Sequence, residues 1–184
     1  MQNNRLTALN ALERLKEGNK IYINSEKGAG GVSPQKRLFT SKNGQNPYAV
    51  IVSCSDSRVI PECIFSAGIG DLFVIRVAGN VIDNHQLGSI EYAVGHLGCN
   101  LVVVLGHTMC GAVGAVANKS GGSVGFITEE IRRAVGAETD AVKASILNVK
   151  QSVSKITNSL NITEGLCVTG ALYHTDSGTV DFDL

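Results

Sequence analysis

The chain reads YAVIVSCSDSR at residues 48–58 and LVVVLGHTMC at residues 101–110. Each stretch begins with a continuous apolar run, which is typical of a strand buried on both faces of a parallel sheet. The first run leads directly into Cys54, and the second leads into His107 and Cys110. Because ligands bind open parallel sheets at the carboxyl ends of the strands, we expect these three side chains to meet at one edge of a sheet.

Two cysteines and one histidine are ligands that zinc prefers. Three protein ligands leave one tetrahedral position open, as in catalytic rather than structural zinc sites, and zinc lowers the pKa of a water bound there to about 7. Hydroxide is then available at neutral pH to attack an electrophilic carbon. Taken singly, Cys54, His107 and Cys110 would each favour a place in the core, because cysteine is among the most buried residue types. Placed together at two strand ends, they predict a zinc site.

Asp56 and Arg58 follow Cys54 by two and four residues. Arg58 can hold the Asp56 carboxylate with two parallel hydrogen bonds. Asp56 would then accept a hydrogen bond from the zinc-bound water and orient it. If that pair broke, Asp56 could become a fourth ligand and close the site, since carboxylates also bind zinc. The alternative is a purely structural ion pair, and the proximity of Cys54 argues against it.

A second interpretation makes Cys54 a nucleophile and Arg58 an anion binder, as in thiol phosphatases. Those loops place arginine six positions after cysteine and cradle phosphate with glycines. Here the spacing is four, and the carboxylate of Asp56 would repel a phosphate. Electrostatics therefore disfavours this interpretation.

The other cysteines and histidines are interpreted as structural. The cysteines stand among apolar residues, and no histidine has a partner at ligand spacing. An odd number of widely spaced cysteines also argues against a disulfide framework. These residues are Cys63, Cys99, Cys167, His85, His96 and His174.

Strands that alternate with helices predict an α/β fold with a mainly parallel central sheet flanked by helices. We interpret residues 1–184 as one domain with an N-terminal helical arm over about residues 1–27, whose first helix ends near Gly18. An antiparallel edge strand is expected at the C-terminus. The predicted strands are 48–53, 72–77, 101–105, 166–173 and 179–184; the predicted helices are 6–18, a short one from Pro61, 84–97, one from Cys110 and 142–160; residues 28–47 and 118–125 are expected to be irregular.

Composition excludes several classes of partner. The formal net charge is zero, so neither nucleic acid nor an anionic membrane surface is an expected partner. No apolar run approaches the ~20 residues needed to span a bilayer, and the N-terminus lacks the apolar core of a signal peptide. We therefore expect a cytoplasmic protein.

The sequence resembles the β-class carbonic anhydrases along nearly its whole length. The two metal motifs, in this order, are the most specific part of the likeness. The matching segments are Cys54–Val59, Gly70–Arg76, Ala78–Asn80, Ser89–Val94, Gly106–Gly111, a first helix over Ala11–Asn19 and a late strand at Gly170–Tyr173.

The resemblance implies one zinc ion per subunit on the three ligands, with Asp56 and Arg58 as the orienting dyad. It implies a substrate pocket closed partly by a second subunit, with Gln45 contacting substrate or product and Phe73 and Tyr92 lining the wall. It also implies a homodimer, often doubled to a homotetramer.

Two departures from the family pattern stand out. The segment between Cys110 and the helix at 142–160 is short and Gly-rich, where many members carry a longer helical insertion. Ile51 stands where some bacterial members have a Trp in a non-catalytic bicarbonate site, so regulation of that type is not expected.

The expected function is the reversible hydration of carbon dioxide to bicarbonate and a proton by zinc-bound hydroxide. Two alternatives remain open. Related scaffolds hydrolyse carbon disulfide or carbonyl sulfide with the same metal chemistry, and a non-catalytic member would bind zinc or bicarbonate only. The intact Asp56 and Arg58 pair argues against the non-catalytic alternative.

Overall fold

A five-stranded sheet forms the centre of the molecule in the computed structural model, which describes residues 5–25, 30–119, 125–160, 164–182 and 184. The strand order is β2-β1-β3-β4-β5, and the first four strands are parallel. The short last strand pairs antiparallel with β4, which confirms the predicted fold class. The strands are β1 (Ala49–Ser53), β2 (Leu72–Arg76), β3 (Leu101–His107), β4 (Cys167–Tyr173) and β5 (Val180–Asp181).

Helices cover both faces of this sheet. On one face, α1 packs over β1 and β3 around the fully buried Leu15, Ile51 and Leu105. On the other face, α4 and α7 pack around Val104 and Ile156. No helix of the described ranges has the length and apolar content to cross a membrane. The helices are α1 (Ala8–Asn24), α2 (Pro34–Asn43), α3 (Pro61–Ile64), α4 (Asn84–Tyr92) with a π-helical turn at Ala93–Leu97, α5 (Gly111–Ala117), α6 (Gly125–Val135) and α7 (Ala141–Ser159).

Helix α1 does not end at Gly18, as the sequence predicted, but continues to Asn24. Gly18 is instead the place where α1 approaches α3. A Cβ atom at this position would lie 2.0 Å from the Phe65 carbonyl oxygen, a backbone atom. The glycine therefore permits close packing of two backbones rather than termination of a helix. Residues 1–4 and 26–27 of the predicted arm lie outside the described residues.

The variant Gly18→Ala is expected to lower the free energy of unfolding by about 2–3 kcal/mol, because the new methyl group forces backbone atoms apart. Gly88→Ala in α4 is the matched control. A Cβ there meets no atom within 4 Å, so alanine should instead stabilise the helix by about 0.5–1 kcal/mol. Urea unfolding at one protein concentration measures both changes. Equal effects of the two substitutions would contradict this account of Gly18.

One helix occurs where the sequence predicted irregular structure, and another occupies a stretch for which no element was predicted. Helix α2 lies within residues 28–47; Ser33 caps it by accepting a hydrogen bond from the Lys36 N–H at 3.1 Å, and Pro34 occupies its first turn. A capping serine followed by proline is a standard helix start. The neighbouring glycines led to the prediction of irregular structure instead. Helix α6 begins at Gly125 and buries Ile131 and Val135. The segment after Cys110 thus holds two helices, although residues 120–124 of the predicted loop lie outside the described residues.

Tyr48 gives the fold a pH dependence at alkaline pH. Burial raises the pKa of its phenol to about 12, whereas a tyrosine in the unfolded chain ionises near pH 10. The folded state therefore retains the proton longer, and stability is lost as the pH rises from 10 to 12. Phenylalanine would keep the ring on which Arg14 stacks at 4.0 Å.

We expect Tyr48→Phe to unfold like the parent at pH 8 and to be more stable by about 1 kcal/mol at pH 11. Urea unfolding at both pH values provides the measurement. Equal stability of the parent and Tyr48→Phe at pH 11 would contradict the conclusion that burial raises the pKa of Tyr48.

Candidate metal centre

Cys54, His107 and Cys110 converge at the carboxyl ends of β1 and β3. Cys54 follows the last residue of β1, His107 is the last residue of β3, and Cys110 caps α5. Their ligand atoms all lie within 4.8 Å of one another. The three residues are buried, with 4%, 0% and 6% of their surfaces exposed. Within the described ranges, no other group of three histidine, cysteine or acidic residues has this arrangement.

The imidazole of His107 is held in the tautomer that a metal requires. Its Nδ1 lies 2.8 Å from the carbonyl oxygen of Thr108. A carbonyl only accepts hydrogen bonds, so Nδ1 carries the proton and Nε2 carries a lone pair. Nε2 is buried and has no hydrogen-bond partner among the described residues. A buried acceptor without a partner is costly, and a metal ion beside the two sulfurs would satisfy it.

The surroundings of the two cysteines favour the thiolate form of Cys54. Their mutual hydrogen bond lowers the pKa of the Cys54 thiol and raises that of Cys110. Two backbone N–H groups, of Asp56 at 3.4 Å and of Gly79 at 3.3 Å, also donate to the Cys54 sulfur. These donors favour the thiolate form that binds metals. Cys110 retains its proton more strongly, and binding of a metal to both sulfurs would release that proton.

Asp56 and Arg58 form a two-pronged ion pair beside the ligands. The Arg58 Nε and Nη2 atoms donate to the two carboxylate oxygens at 3.0 and 2.8 Å. The Arg58 side chain holds the pKa of Asp56 well below its usual range, so this carboxylate is ionised at neutral pH. Arg58 Nη2 also donates to the Met109 carbonyl at 3.0 Å. One guanidinium therefore ties together the loop after β1 and the loop after β3.

Arg76, at the end of β2, fixes the backbone around Cys54. Its Nε donates to the Cys54 carbonyl at 3.2 Å, and its Nη2 donates to the Asp56 carbonyl at 2.8 Å. Sequence analysis did not assign it a role. Its position was the available signal. Arg76 ends an apolar strand, and the carboxyl end of that strand lies at the same sheet edge as the residue that follows the neighbouring strand, Cys54.

A family model described as carbonic anhydrase matches residues 49–180, which include the three ligand candidates and the Asp56 and Arg58 pair. The chain belongs to the carbonic anhydrase family. This finding confirms the resemblance that the sequence motifs indicated.

Individual members of the family give the same result. Carbonic anhydrase 2 of Mycobacterium tuberculosis is 48% identical over 95 residues, which cover 52% of this chain and 45% of the relative. The carbonic anhydrase of Mycolicibacterium smegmatis is 44% identical over 95 residues, or 52% of this chain and 46% of the relative. The chain thus spans about half the length of these curated relatives.

Solved structures of β-carbonic anhydrases share the fold. The enzyme CafA of Aspergillus fumigatus superimposes with a TM-score of 0.71 at 29% identity, covering 80% of each chain. A β-carbonic anhydrase of Sordaria macrospora, described as tetrameric, gives a TM-score of 0.68 at 27% identity over 81% of this chain and 87% of its own.

Of the three residues that the family resemblance assigns to the substrate pocket, Gln45 and Phe73 lie toward the amino ends of β1 and β2. Gln45 is exposed and precedes β1, so it lies at the amino end of the strand whose carboxyl end leads to Cys54. Phe73 pairs with Val50 in the first half of β2. Its ring lies 6.1 Å from that of Tyr92, which is 46% exposed. The expectation that these three residues line a substrate pocket stays a prediction.

Proposed function

We propose that this protein catalyses the reversible hydration of carbon dioxide to bicarbonate and a proton, with one zinc ion per subunit. Cys54, His107 and Cys110 would hold the metal. The observation that supports this most directly is the buried, unpartnered Nε2 of His107 beside two thiols. Three sulfur and imidazole ligands leave the fourth position of a tetrahedral zinc ion without a ligand from this set, which fits zinc in its catalytic rather than its structural role.

Zinc, when bound, supplies a Lewis acid that brings the pKa of a coordinated water to about 7. One side of the ligand group is apolar. Val81, Val113 and Ile131 belong to the same buried cluster as Cys54 and Cys110. Such surroundings exclude bulk water and strengthen the electrostatic interactions inside the site.

Asp56 has the role of orienting the attacking water. Its carboxylate is ionised at neutral pH and accepts hydrogen bonds only, so it would accept one from the water and leave a lone pair directed at carbon dioxide. Arg58 keeps the carboxylate in one orientation through the two hydrogen bonds already described. We also propose that Asp56 can become the fourth zinc ligand when its pairing with Arg58 is broken.

We propose that Gln45, Phe73 and Tyr92 complete the substrate pocket across a subunit interface. Phe73 and Tyr92 would form its apolar wall, and the Gln45 amide would donate to an oxygen of substrate or product. The positions of Gln45 and Phe73 toward the amino ends of their strands support a pocket built from two copies. A homodimer or a dimer of dimers would supply it, and the tetrameric Sordaria relative is consistent with the larger assembly.

We also propose a cytoplasmic location. All five cysteines fall within the described residues, and all five are unpaired thiols. Free thiols are the usual state in a reducing compartment.

The test is a carbon dioxide hydration assay run beside a sulfide-release assay and a zinc determination. Hydration with stoichiometric zinc and no release of sulfide from carbon disulfide or carbonyl sulfide is the expected result. Sulfide release would show that carbon disulfide or carbonyl sulfide, rather than carbon dioxide, is the substrate. Bound zinc with neither activity would indicate a non-catalytic protein, and absence of zinc would overturn the proposal altogether.

A further inference from the structure

Two buried polar side chains of helix α7 form hydrogen bonds with the turn that follows β2. The Asn148 Nδ2 atom donates to the Gly79 carbonyl at 2.7 Å. One helical turn later, the Ser152 hydroxyl donates to the Asn80 carbonyl at 3.1 Å. Both side chains are almost fully buried, with 2% and 4% exposed. The two bonds join segments about 70 residues apart in sequence.

The turn that these side chains hold has a left-handed backbone and lies directly against the metal centre. Gly79 and Asn80 both have positive φ, 68° and 44°, a region that glycine and asparagine adopt more readily than other residues. The same Gly79 directs its N–H at the Cys54 sulfur, 3.3 Å away. The carbonyl of Gly79 is thus held by α7, and its N–H is held against a candidate ligand.

Ser145, on the same helix, shows that this arrangement is specific. Its hydroxyl donates to the Ala141 carbonyl of its own helix at 2.9 Å, which is the usual local solution for a serine inside a helix. Ser152 has no such local bond among the hydrogen bonds of the described residues and instead reaches another segment. Asn148 has a poor helix propensity and a buried amide, so it contributes little to α7 itself.

We propose that Asn148 and Ser152 are positioning residues of the metal centre. By fixing the carbonyls of Gly79 and Asn80, they keep the Gly79 N–H directed at Cys54. That hydrogen bond stabilises the thiolate and determines how much charge the sulfur donates to the metal. This inference rests on the proposed zinc site but does not depend on the identity of the substrate.

The test compares Asn148→Leu and Ser152→Ala with the parent protein and with the control Ser145→Ala. Leucine keeps the approximate size of asparagine and removes its donor. The control removes a buried hydroxyl from the same helix without touching the turn. We expect each test variant to bind zinc about 10- to 100-fold more weakly, as is typical when a group that supports a metal ligand is lost. The control should bind zinc like the parent.

A second measurement separates positioning from general loosening of the fold. With cobalt(II) in place of zinc, the sulfur-to-metal charge-transfer band reports the donor strength of the thiolates. We expect the band to shift in the two test variants and to stay in place in Ser145→Ala. If Asn148→Leu fails to fold, Ser152→Ala decides alone, since it removes a single oxygen atom.

Parent-like zinc affinity and an unshifted cobalt band in the folded test variants would overturn this inference and leave the proposed function intact. A shift of equal size in Ser145→Ala would also overturn it. A parent protein that binds zinc without hydrating carbon dioxide would instead overturn the proposed function. The comparison of metal affinities would then still decide the role of Asn148 and Ser152.

Discussion

The variant Cys110→Ser is expected to lose stoichiometric zinc and, with it, essentially all hydration activity. A serine hydroxyl does not ionise near neutral pH and is a poor zinc ligand, so the metal would keep only Cys54 and His107. Cys110 stands directly before α5 without a side-chain capping bond, and serine is favourable at that position, so the substitution should not disrupt the start of the helix. Metal analysis of the purified variant after dialysis measures the loss.

Cys63→Ser is the matched control for that substitution. Cys63 is a free, partly buried thiol in α3 and is not part of the ligand group. It should retain full zinc and activity. If Cys110→Ser bound zinc as tightly as the control, Cys110 would not be a ligand, and the proposed site would have to be rebuilt around other groups.

The variant Asp56→Asn is expected to keep its zinc and to lose activity by about 10²- to 10⁴-fold at neutral pH. The amide is close to isosteric, but it carries no charge and can present a donor where the carboxylate accepts. The attacking water would then lose its orientation while the three ligands remain in place. Initial hydration rates and zinc content, measured on the same sample, separate the two effects.

Asp71→Asn provides the comparison for Asp56→Asn. Asp71 is also a partly buried carboxylate in ion pairs, with Arg14 and Lys36, but it lies before β2, away from the ligands. Its substitution should affect stability more than turnover. Near-parental hydration by Asp56→Asn would remove this carboxylate from the mechanism, whereas loss of zinc would assign it to metal binding instead.

The sequence predicted the sheet well because its strands are continuous apolar runs. A continuous apolar run such as Leu101–Leu105 favours a strand that is buried on both faces of a parallel sheet. The meeting of Cys54 with His107 and Cys110 follows from the same rule, since neighbouring parallel strands end at one edge. The roles of these residues, and those of Gln45, Phe73 and Tyr92, remain predictions.

The elements that sequence analysis missed depend on contacts distant in sequence. Gly18 is indistinguishable from a helix stop until the backbone of α3 is known to lie against it. Asn148 and Ser152 fall between the apolar positions of α7, and an amphipathic pattern assigns such residues to solvent. Their actual neighbours are carbonyls some 70 positions earlier in the chain. Periodicity contains no information about such partners.

Gln45 precedes β1 and Cys54 follows it, so the two residues lie at opposite ends of this strand. This arrangement separates metal occupancy from turnover, two properties that are often measured as one. Metal occupancy would belong to each polypeptide alone, because all three ligands come from a single copy. Turnover would depend on the assembly, because in the proposed pocket the wall facing the reaction would come from a neighbouring subunit. A preparation diluted below the dissociation constant of the assembly would then be fully metallated and yet inactive. Specific activity in dilute solution would report association as well as chemistry.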